Sequence, residues 1–494
     1  MPFTPDTELA AQVFPPTHRN PVPAARYNLV VIGAGTAGLV CAAGAAALGA
    51  KVALIERRAL GGDCLNVGCV PSKALIRAAH AAHAVGAAAR FGVHARIDRI
   101  DFAAVMARVR AVRQAISAND SVARFQSLGV DVFLGDARFV GRGAVAVGDA
   151  TLHFARAVIA TGGRPALPDI AGLTGANPLT NETVFELEAQ PARLLVIGGG
   201  PIGCELAQAF QRLGTRVTLV QRAQTLLGRE TPGDAAIVQD ALESDGVLVR
   251  TRTRVLRVAP VPGLDGYRAD LADDDGGADA CSTVQVDRIL VAAGRVPNVE
   301  GLGLEHAGVA WTPKGVTVDA YLRTSNKAVF AAGDVCLPQQ FTHAADASAR
   351  AVIQNALFFG RKRVPIAAIP RCTFTDPEVA HVGETAGSGI DTFHVAWTDV
   401  DRARTDDEHV GGVRVHARDG RIVGGTVVGR HAGDLIGEIA VLTARRVSLG
   451  ALAGIVHPYP TRAEAIRKTA DLFNRSRLTP TARALFDSWL AWRR

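Results

Sequence analysis

The 494-residue chain is poor in aromatic residues and contains no apolar run of membrane-spanning length. Phe, Trp and Tyr make up 5% of it, and its basic residues are spread out rather than clustered. Nucleic-acid-binding proteins concentrate basic and aromatic side chains on one surface, so this pattern argues against that role despite a net charge of +7. No basic segment followed by an apolar core opens the chain, so no secretory leader is expected.

Cysteine is also scarce, with seven residues at positions 41, 64, 69, 204, 281, 336 and 372. This odd, scattered set excludes the disulfide framework of a small secreted protein. We therefore expect a cytoplasmic protein in which any disulfide is catalytic. Cys64 and Cys69 stand five positions apart in GGDCLNVGCVPSK, residues 61–73. Their spacing alone fits either two buried thiols or a redox-active disulfide.

A nucleotide-binding pattern precedes these cysteines. The strand-like run Tyr27–Ile32 is followed by Gly33, Gly35 and Gly38, a helix-like run, and a second strand-like run that closes with Glu56. The glycines alone are a weak signal, but strand, turn, helix and an acid about 20 residues later form the full dinucleotide fingerprint. We expect a pyrophosphate at the glycine turn and a ribose hydroxyl at Glu56.

The same pattern recurs after a strand-like run at residues 194–197, with Gly198, Gly200 and Gly203 in the turn. Two fingerprints imply two bound dinucleotides. Gln221 and Arg222 stand where an NAD site places an acid, so a 2′-phosphate is not repelled and Arg222 can pair with it. Arg222 can equally point into solvent. The sequence favours NADPH and leaves NADH possible.

Together these motifs resemble the class I pyridine nucleotide-disulfide oxidoreductases, the family of dihydrolipoamide dehydrogenase, glutathione reductase and mercuric reductase. The resemblance covers the chain from about Tyr27 to Leu478. It rests on the cysteine motif, on turns at residues 160–165 and 293–298, on residues 324–334, and on residues 372–380, which resemble the start of the family's dimerisation domain.

The resemblance implies an α/β fold with two Rossmann-like domains, for FAD and NAD(P), and a C-terminal α+β dimerisation domain. A homodimer is implied, because in this family the partner subunit completes the site. The expected divisions are an extended, proline-containing arm or linker (1–26), a first FAD segment with the redox disulfide (27–174), an NAD(P) domain (175–297), a second FAD and central segment (298–366), the dimerisation domain (367–484) and a tail (485–494).

The resemblance also implies individual roles. Cys69 would face the flavin and Cys64 would exchange with the substrate, while Lys73 pairs with Glu205 near the flavin and Asp334 contacts its ribityl chain. Electrons would pass from NAD(P)H through FAD to a Cys64–Cys69 disulfide and on to an acceptor. Further cofactor contacts are expected at Ala137, Thr161, Gly162, Gly163, Gly294 and His343, the last as a packed residue rather than a catalyst. No metal ligands are expected.

The C-terminal segment departs from family members that use dithiols. Those enzymes carry a His-x-His-Pro-Thr-x-x-Glu motif, in which the Glu orients the second His as acid–base. Here His457 matches the first His, Tyr459 replaces the second and Glu464 retains the acid. Mercuric reductase also has Tyr at this point, but its metal-capturing cysteine pairs do not occur here. The segment favours a mercuric reductase-like enzyme and speaks against Hg(II) as its physiological substrate.

Three functions stay open on the sequence. The first is an NAD(P)H reductase acting on a small-molecule or metal-ion acceptor, namely a metal ion, a disulfide or a quinone, and the intact cysteine motif favours it. The second is a dihydrolipoamide dehydrogenase-type dithiol oxidoreductase, and the third is a slowly reacting redox sensor or interaction protein. In the tail, Leu485, Phe486, Trp489 and Leu490 fall on one helical face. That face fits a membrane surface or a partner, and packing within the dimer is favoured.

Overall fold

A computed structural model describes residues 6–263, 265–273, 281–358, 360–385 and 387–494. Its strands, in chain order, are β1 (Tyr27–Ile32), β2 (Val52–Glu56), β3 (Asp131–Leu134), β4 (Ala137–Gly141), β5 (Ala144–Val147), β6 (Ala150–Ile159), β7 (Gly163–Pro165), β8 (Arg193–Ile197), β9 (Arg216–Val220), β10 (Leu248–Arg250), β11 (Thr253–Pro260), β12 (Tyr267–Asp273), β13 (Cys281–Val286), β14 (Arg288–Val291), β15 (Arg295–Pro297), β16 (Trp311–Thr312), β17 (Gly315–Val316), β18 (Val329–Ala331), β19 (Arg371–Thr373), β20 (Glu378–Gly383), β21 (Asp391–Ala396), β22 (Gly412–Arg418) and β23 (Arg421–Gly429).

The α-helices, in the same order, are α1 (Thr7–Val13), α2 (Thr36–Ala47), α3 (Gly62–Asn66), α4 (Cys69–Ala87), α5 (Phe102–Ser117), α6 (Val122–Ser127), α7 (Pro201–Arg212), α8 (Pro232–Ser244), α9 (Leu304–Ala307), α10 (Thr342–Leu357), α11 (Asp401–Thr405), α12 (Ala432–Ala444), α13 (Leu449–Leu452), α14 (Glu464–Ser476) and α15 (Pro480–Trp492). Short 3₁₀ helices include Ala118–Asp120 and Gly333–Val335. None of the described helices is long and apolar enough to cross a membrane.

The first fingerprint lies in a sheet of seven strands within the described residues, in the order β3-β2-β1-β6-β5-β4, with β18 also paired to β6. Strand β1 runs parallel to β2 and β6. Both faces of a parallel sheet are covered, which explains why residues 29–32 are buried without alternation. Ligands of such folds bind beyond the carboxyl ends of the strands, where the glycine turn after β1 lies.

The second fingerprint lies in a separate parallel sheet of order β10-β9-β8-β14. The antiparallel strands β11-β12-β13 contribute Val258, Ala269 and Leu271 to the same apolar cluster as Leu195 of β8. Strands β7 and β15 pair antiparallel and bring the two expected crossover turns together. The predicted fold class, with two Rossmann-like halves, is confirmed.

The chain divides into two compact units, Met1–Gln224 with Asp245–Val364, and Thr225–Ser244 with Pro365–Arg494. The second unit contains the antiparallel sheet β19-β20-β23-β22-β21. Residues 225–244, expected in the NAD(P) domain, group with this unit because Glu230 pairs with Arg371 at 2.7 Å and Asp234 pairs with Arg414. The finer domain boundaries stay predictions.

The expectation that the start of the chain is extended is wrong. Residues 7–13 form helix α1 rather than an extended arm, because Asp6 caps it through a 2.8 Å bond from the Leu9 amide and because Leu9 and Val13 are buried. The prolines follow this helix instead of interrupting it. The expected boundary at 484/485 falls inside α15, which begins at Pro480.

Candidate active site

The first nucleotide turn requires glycine. Gly33 has φ +99°, and a Cβ there would overlap the carbonyl of Ala160. Helix α2 then begins at Thr36. Its N-cap residue, Gly35, offers no side-chain cap to the N–H groups of the first turn, and Gly38 packs on the Gly33 carbonyl. Uncapped N–H groups at a helix N-terminus are suited to a pyrophosphate. The residues here therefore fit a bound dinucleotide.

The acid of this fingerprint is held by the turn itself. Glu56 Oε2 accepts a 2.7 Å hydrogen bond from the Ala34 amide, and Oε1 accepts a 2.8 Å bond from the Arg58 amide. Burial raises the pKa of Glu56, and the two amide donors act in the opposite direction. The Gly135 amide donates to the Glu56 carbonyl at 2.8 Å, so Ala137 at the start of β4 lies two residues from this contact.

The two crossover turns are joined by reciprocal hydrogen bonds. Thr161 Oγ1 donates to the Asn298 carbonyl at 2.7 Å, and Asn298 Nδ2 donates to the Thr161 carbonyl at 2.9 Å. The main-chain N–H of Asn298 donates to the Gly162 carbonyl, and the main-chain N–H of Ala166 donates to the Gly294 carbonyl. Gly163 is the first residue of β7. Thr161 itself lies against the first nucleotide turn, because a Cβ on Gly33 would lie 3.1 Å from the Thr161 Cα.

The second nucleotide turn repeats this arrangement with one change of charge. Gly198 has φ +114°, and α7 begins after Gly200, again without a side-chain cap. Gln221 Oε1 accepts from the Gly199 amide at 3.1 Å, as Glu56 does from Ala34 in the first turn. The neutral side chain of Gln221 thus makes the contact that the Glu56 carboxylate makes in the first fingerprint. Arg222, the next residue, is exposed.

The cysteine motif lies directly against the first nucleotide turn. Cys64 is in α3, and Cys69 is the first residue of α4. Gly62 has φ +56°, and a Cβ on it would lie 2.6 Å from the Cα of Gly35, so backbone packs on backbone here. Both cysteines are free in the structure, Cys64 partly exposed and Cys69 exposed.

The two thiols differ strongly in acidity. The Cys64 thiol donates to the Cys69 sulfur, which raises the pKa of Cys64 and lowers the pKa of Cys69 to about 6. Thr342 Oγ1, 3.4 Å from the Cys69 sulfur, and the charge of Lys73 further lower the Cys69 pKa. Burial and the charge of Asp120 further raise the Cys64 pKa. A thiolate at Cys69 is thus stable near neutral pH.

The predicted lysine–glutamate pair is present. Lys73 Nζ donates to Glu205 Oε2 at 2.8 Å and so links α4 to α7. The Glu205 side chain is 6% exposed and the Lys73 side chain 36%, so only the carboxylate is buried. The pair fixes the position of the Lys73 ammonium group on the cysteine helix.

Asp334 belongs to a charged group that sequence reasoning missed. Arg295 donates to Asp63 of the cysteine motif and to the Gly163 carbonyl, and its Nε lies 3.7 Å from Asp334. Burial raises the pKa of Asp334 to about 6, against the effect of Arg295. The arginine of the 293–298 turn was the available signal.

The expected role of His343, as a packed residue near the flavin, stays a prediction. His343 is in the first turn of α10, next to Thr342, and its ring stacks on Phe341 with 5.4 Å between centroids. The His343 side chain is exposed in this structure.

The expected proton-handling residues lie in the C-terminal unit and have unexpected partners. His457 Nε2 lies 2.9 Å from Glu438 Oε1. Tyr459 donates its hydroxyl proton to Asp401 at 2.9 Å, which raises the Tyr459 pKa. Glu464, expected to orient this segment, instead lies 3.6 Å from both Arg467 and Lys468.

Comparisons with known proteins agree with this geometry. The family model "Pyridine nucleotide-disulphide oxidoreductase" matches residues 27–351, and its dimerisation domain matches residues 369–470. A mercuric reductase from Streptomyces lividans is 36% identical over 462 residues, which cover 90% of this chain and 96% of that protein. A dihydrolipoyl dehydrogenase from Thermus scotoductus is 34% identical over 460 residues, covering 91% and 98%.

Among solved structures, LpdA from Mycobacterium tuberculosis superposes with a TM-score of 0.81 at 28% identity, covering 90% of this chain and 99% of that one. The chain therefore belongs to the pyridine nucleotide-disulphide oxidoreductases, a family of FAD-dependent enzymes that take electrons from NAD(P)H.

Proposed function

We propose that this enzyme uses NADPH to reduce a metal-ion or quinone-type acceptor through Cys64 and Cys69. The main support is the difference in acidity between the two thiols, with the pKa of Cys69 lowered to about 6 and that of Cys64 raised. A stable thiolate beside a protonated partner is the arrangement that a redox dithiol needs.

The residues of the first fingerprint fit FAD. Gly33, Gly35 and Gly38 would hold its pyrophosphate and Glu56 a ribose, and Asp334 would hold the ribityl chain. When bound, FAD supplies hydride acceptance from the nicotinamide and delivery of the electron pair to the cysteines.

The chain's own residues govern what the dithiol does next. Two electrons and two protons convert the Cys64–Cys69 disulfide into two thiols, and Cys69 then releases its proton because its pKa is low. Cys64 keeps its proton until an acceptor engages it, after which its sulfur is the attacking group. A soft metal ion would bind both sulfurs as thiolates. Transfer of the electron pair to the acceptor restores the disulfide.

The nucleotide preference rests on Gln221 and Arg222. The side-chain oxygen of Gln221 accepts from the main-chain N–H of Gly199. The side chain is neutral, so it places no carboxylate near the ribose 2′ position of the nucleotide. Arg222 is exposed beside it and supplies the positive charge that a 2′-phosphate needs.

The proposed acceptor class rests on Tyr459. A phenol titrates near pH 10, and the bond to Asp401 raises the Tyr459 pKa further. Tyr459 is therefore a poor base for deprotonating a dithiol. Reduction of a metal ion or a quinone depends far less on proton transfer by a protein side chain. The similarity to mercuric reductases agrees with this class.

A dithiol such as dihydrolipoamide is the second candidate. His457 forms a 2.9 Å pair with Glu438, which is the arrangement of a carboxylate-oriented base. The similarity to a dihydrolipoyl dehydrogenase agrees with it. We further propose that the enzyme is a homodimer, which the matching dimerisation domain supports.

An acceptor panel separates the candidates. We expect NADPH oxidation to be faster with a benzoquinone or a metal salt than with lipoamide, and to be lost in Cys64→Ser. Lipoamide turnover that exceeds quinone turnover and disappears in His457→Ala would overturn the proposed acceptor class.

A further inference from the structure

Helix α15 exposes an apolar face at the end of the C-terminal unit. None of its thirteen residues is buried, and Leu485, Phe486, Trp489, Leu490 and Trp492 are between 52% and 76% exposed. Thr479 caps the helix by accepting from the Ala482 amide at 3.2 Å, and Pro480 occupies its first position. The helix thus has its own start signals, but its unit buries none of its side chains among the described residues.

A helix of this length needs a surface to be stable. Isolated helices shorter than about 12–15 residues are marginal in water, and most helical stability comes from burying an apolar face. The five apolar side chains cover one side of α15, while Ala484, Asp487, Ser488 and Ala491 lie on the other. Some apolar surface therefore has to cover the first side.

The charges around the face indicate what that surface is. The segment from Arg475 to Arg494 contains five arginines, at 475, 477, 483, 493 and 494, against a single acid, Asp487. Trp489 and Trp492 lie together at its C-terminal end, with 5.2 Å between ring centroids. Tryptophan beside arginine, on a helix too short to cross a bilayer, is typical of helices that lie in the interface of an anionic membrane.

We propose that α15 docks the enzyme peripherally on an anionic lipid surface. Its apolar face enters the boundary between headgroups and acyl chains, and the flanking arginines pair with lipid phosphates. A second copy of α15 is a poorer occupant, because helix-to-helix packing would bring two strongly basic segments together. Packing of the stripe within the dimer, which the sequence favoured, is the alternative outcome of the test.

Vesicle binding by the full-length holoenzyme tests the proposal. We expect cosedimentation with vesicles of phosphatidylcholine and phosphatidylglycerol in equal parts, and much weaker binding to phosphatidylcholine alone. Two of the chain's four tryptophans lie on α15, so binding is expected to shift tryptophan emission to shorter wavelength. Arg493→Gln and Arg494→Gln should each weaken binding about fivefold, the effect of roughly one basic residue near a charged surface.

Two variants with the same change of charge isolate the apolar face. Phe486→Glu should abolish binding, whereas Ala484→Glu, on the other side of the helix, should lose only about the fivefold expected for one charge. Both should retain NADPH turnover with a soluble quinone, which shows that they are folded. Equal binding of the two variants would overturn the proposal. Two results together would also overturn it: no binding of the wild-type enzyme to anionic vesicles, and dissociation of the dimer in Phe486→Glu. A second copy of the chain would then cover the helix.

Discussion

Lys73 Nζ and Glu205 Oε2 meet at 2.8 Å although 132 positions separate the two residues. The bond joins the helix that begins with Cys69 to the helix that follows the second nucleotide turn. Lys73 lowers the pKa of Cys69 and Glu205 raises it, so the pair adjusts the thiolate from both directions.

Removing the charge of Lys73 and removing the charge of Glu205 should shift the Cys69 pKa in opposite directions. We expect Lys73→Met to raise the Cys69 pKa from about 6 by roughly one unit, and Glu205→Gln to lower it. The hydrogen bond from Cys64 is the larger effect and stays in both variants. The pH dependence of iodoacetamide alkylation at Cys69, read by peptide mass spectrometry on the reduced protein, measures the shift.

Arg77→Met is the matched control, because Arg77 lies one turn further along α4 and is exposed. It should leave the alkylation profile unchanged. A Cys69 profile that does not differ between Lys73→Met and Arg77→Met would show that Lys73 does not act on the thiolate.

Nucleotide preference should follow the charge at position 221. Gln221→Glu can keep the contact with the Gly199 amide while adding a carboxylate that repels a 2′-phosphate and accepts from a 2′-hydroxyl. We expect this change to turn the preference from NADPH to NADH, and Arg222→Ala to reduce kcat/KM for NADPH about tenfold or more. Steady-state kinetics with both nucleotides measure it. A wild-type preference for NADH that survives Arg222→Ala would contradict the assignment.

Restoring a histidine at position 459 should restore dithiol chemistry. General acid–base catalysis contributes about 10²–10⁴-fold, so Tyr459→His should raise lipoamide turnover by up to that factor. Quinone reduction should change little. Tyr459→Phe is the control, because it removes the bond to Asp401 without supplying a base. A rise in lipoamide turnover in Tyr459→Phe would mean that the hydroxyl only blocks the substrate.

Much of the fold could be predicted from local sequence patterns. A strand, a glycine with positive φ and an uncapped helix occur in order at Gly33 and again at Gly198, so both turns were predictable. The resemblance also anticipated the pair of Lys73 with Glu205. It did not anticipate Thr342 beside Cys69, because 273 residues separate them and neither residue type demands the other.

The sequence likewise did not predict the hydrogen-bond partners of the residues in the C-terminal segment. The sequence identified His457, Tyr459 and Glu464, but not the partners Glu438 and Asp401. Those partners come from α12 and α11, and only tertiary packing brings their carboxylates to the segment. Helix α1 was missed because the prolines after it dominated the composition of the arm.

Two buried histidines should make the C-terminal unit sensitive to acid. Burial lowers the pKa of His381 and of His416 to about 4, from an ordinary value of 6.5, and nearby Arg414 acts in the same direction. The unfolded chain therefore binds more protons between pH 6.5 and 4, so the free energy of unfolding falls as the pH drops through that window. The expected loss is on the order of 1–3 kcal/mol for each histidine.

Urea unfolding of the protein between pH 4 and pH 7 measures this loss. His416→Gln should flatten the pH dependence, even if the variant is less stable at pH 7 because it alters the contact with Thr392. His153→Gln serves as control, because His153 is exposed on β6. Equal slopes for the two variants would show that His416 is not the titrating group.

The central claim is that Cys64 and Cys69 form the redox pair, with Cys69 as the thiolate beside the flavin. Anaerobic reduction of the FAD-loaded enzyme by two electrons, followed by visible absorbance, tests it most directly. We predict a long-wavelength thiolate-to-flavin charge-transfer band in the wild type, its absence in Cys69→Ser, and its presence without reductant in Cys64→Ser. A wild type that shows no such band, or serine variants that both reduce acceptors at the wild-type rate, would contradict the account.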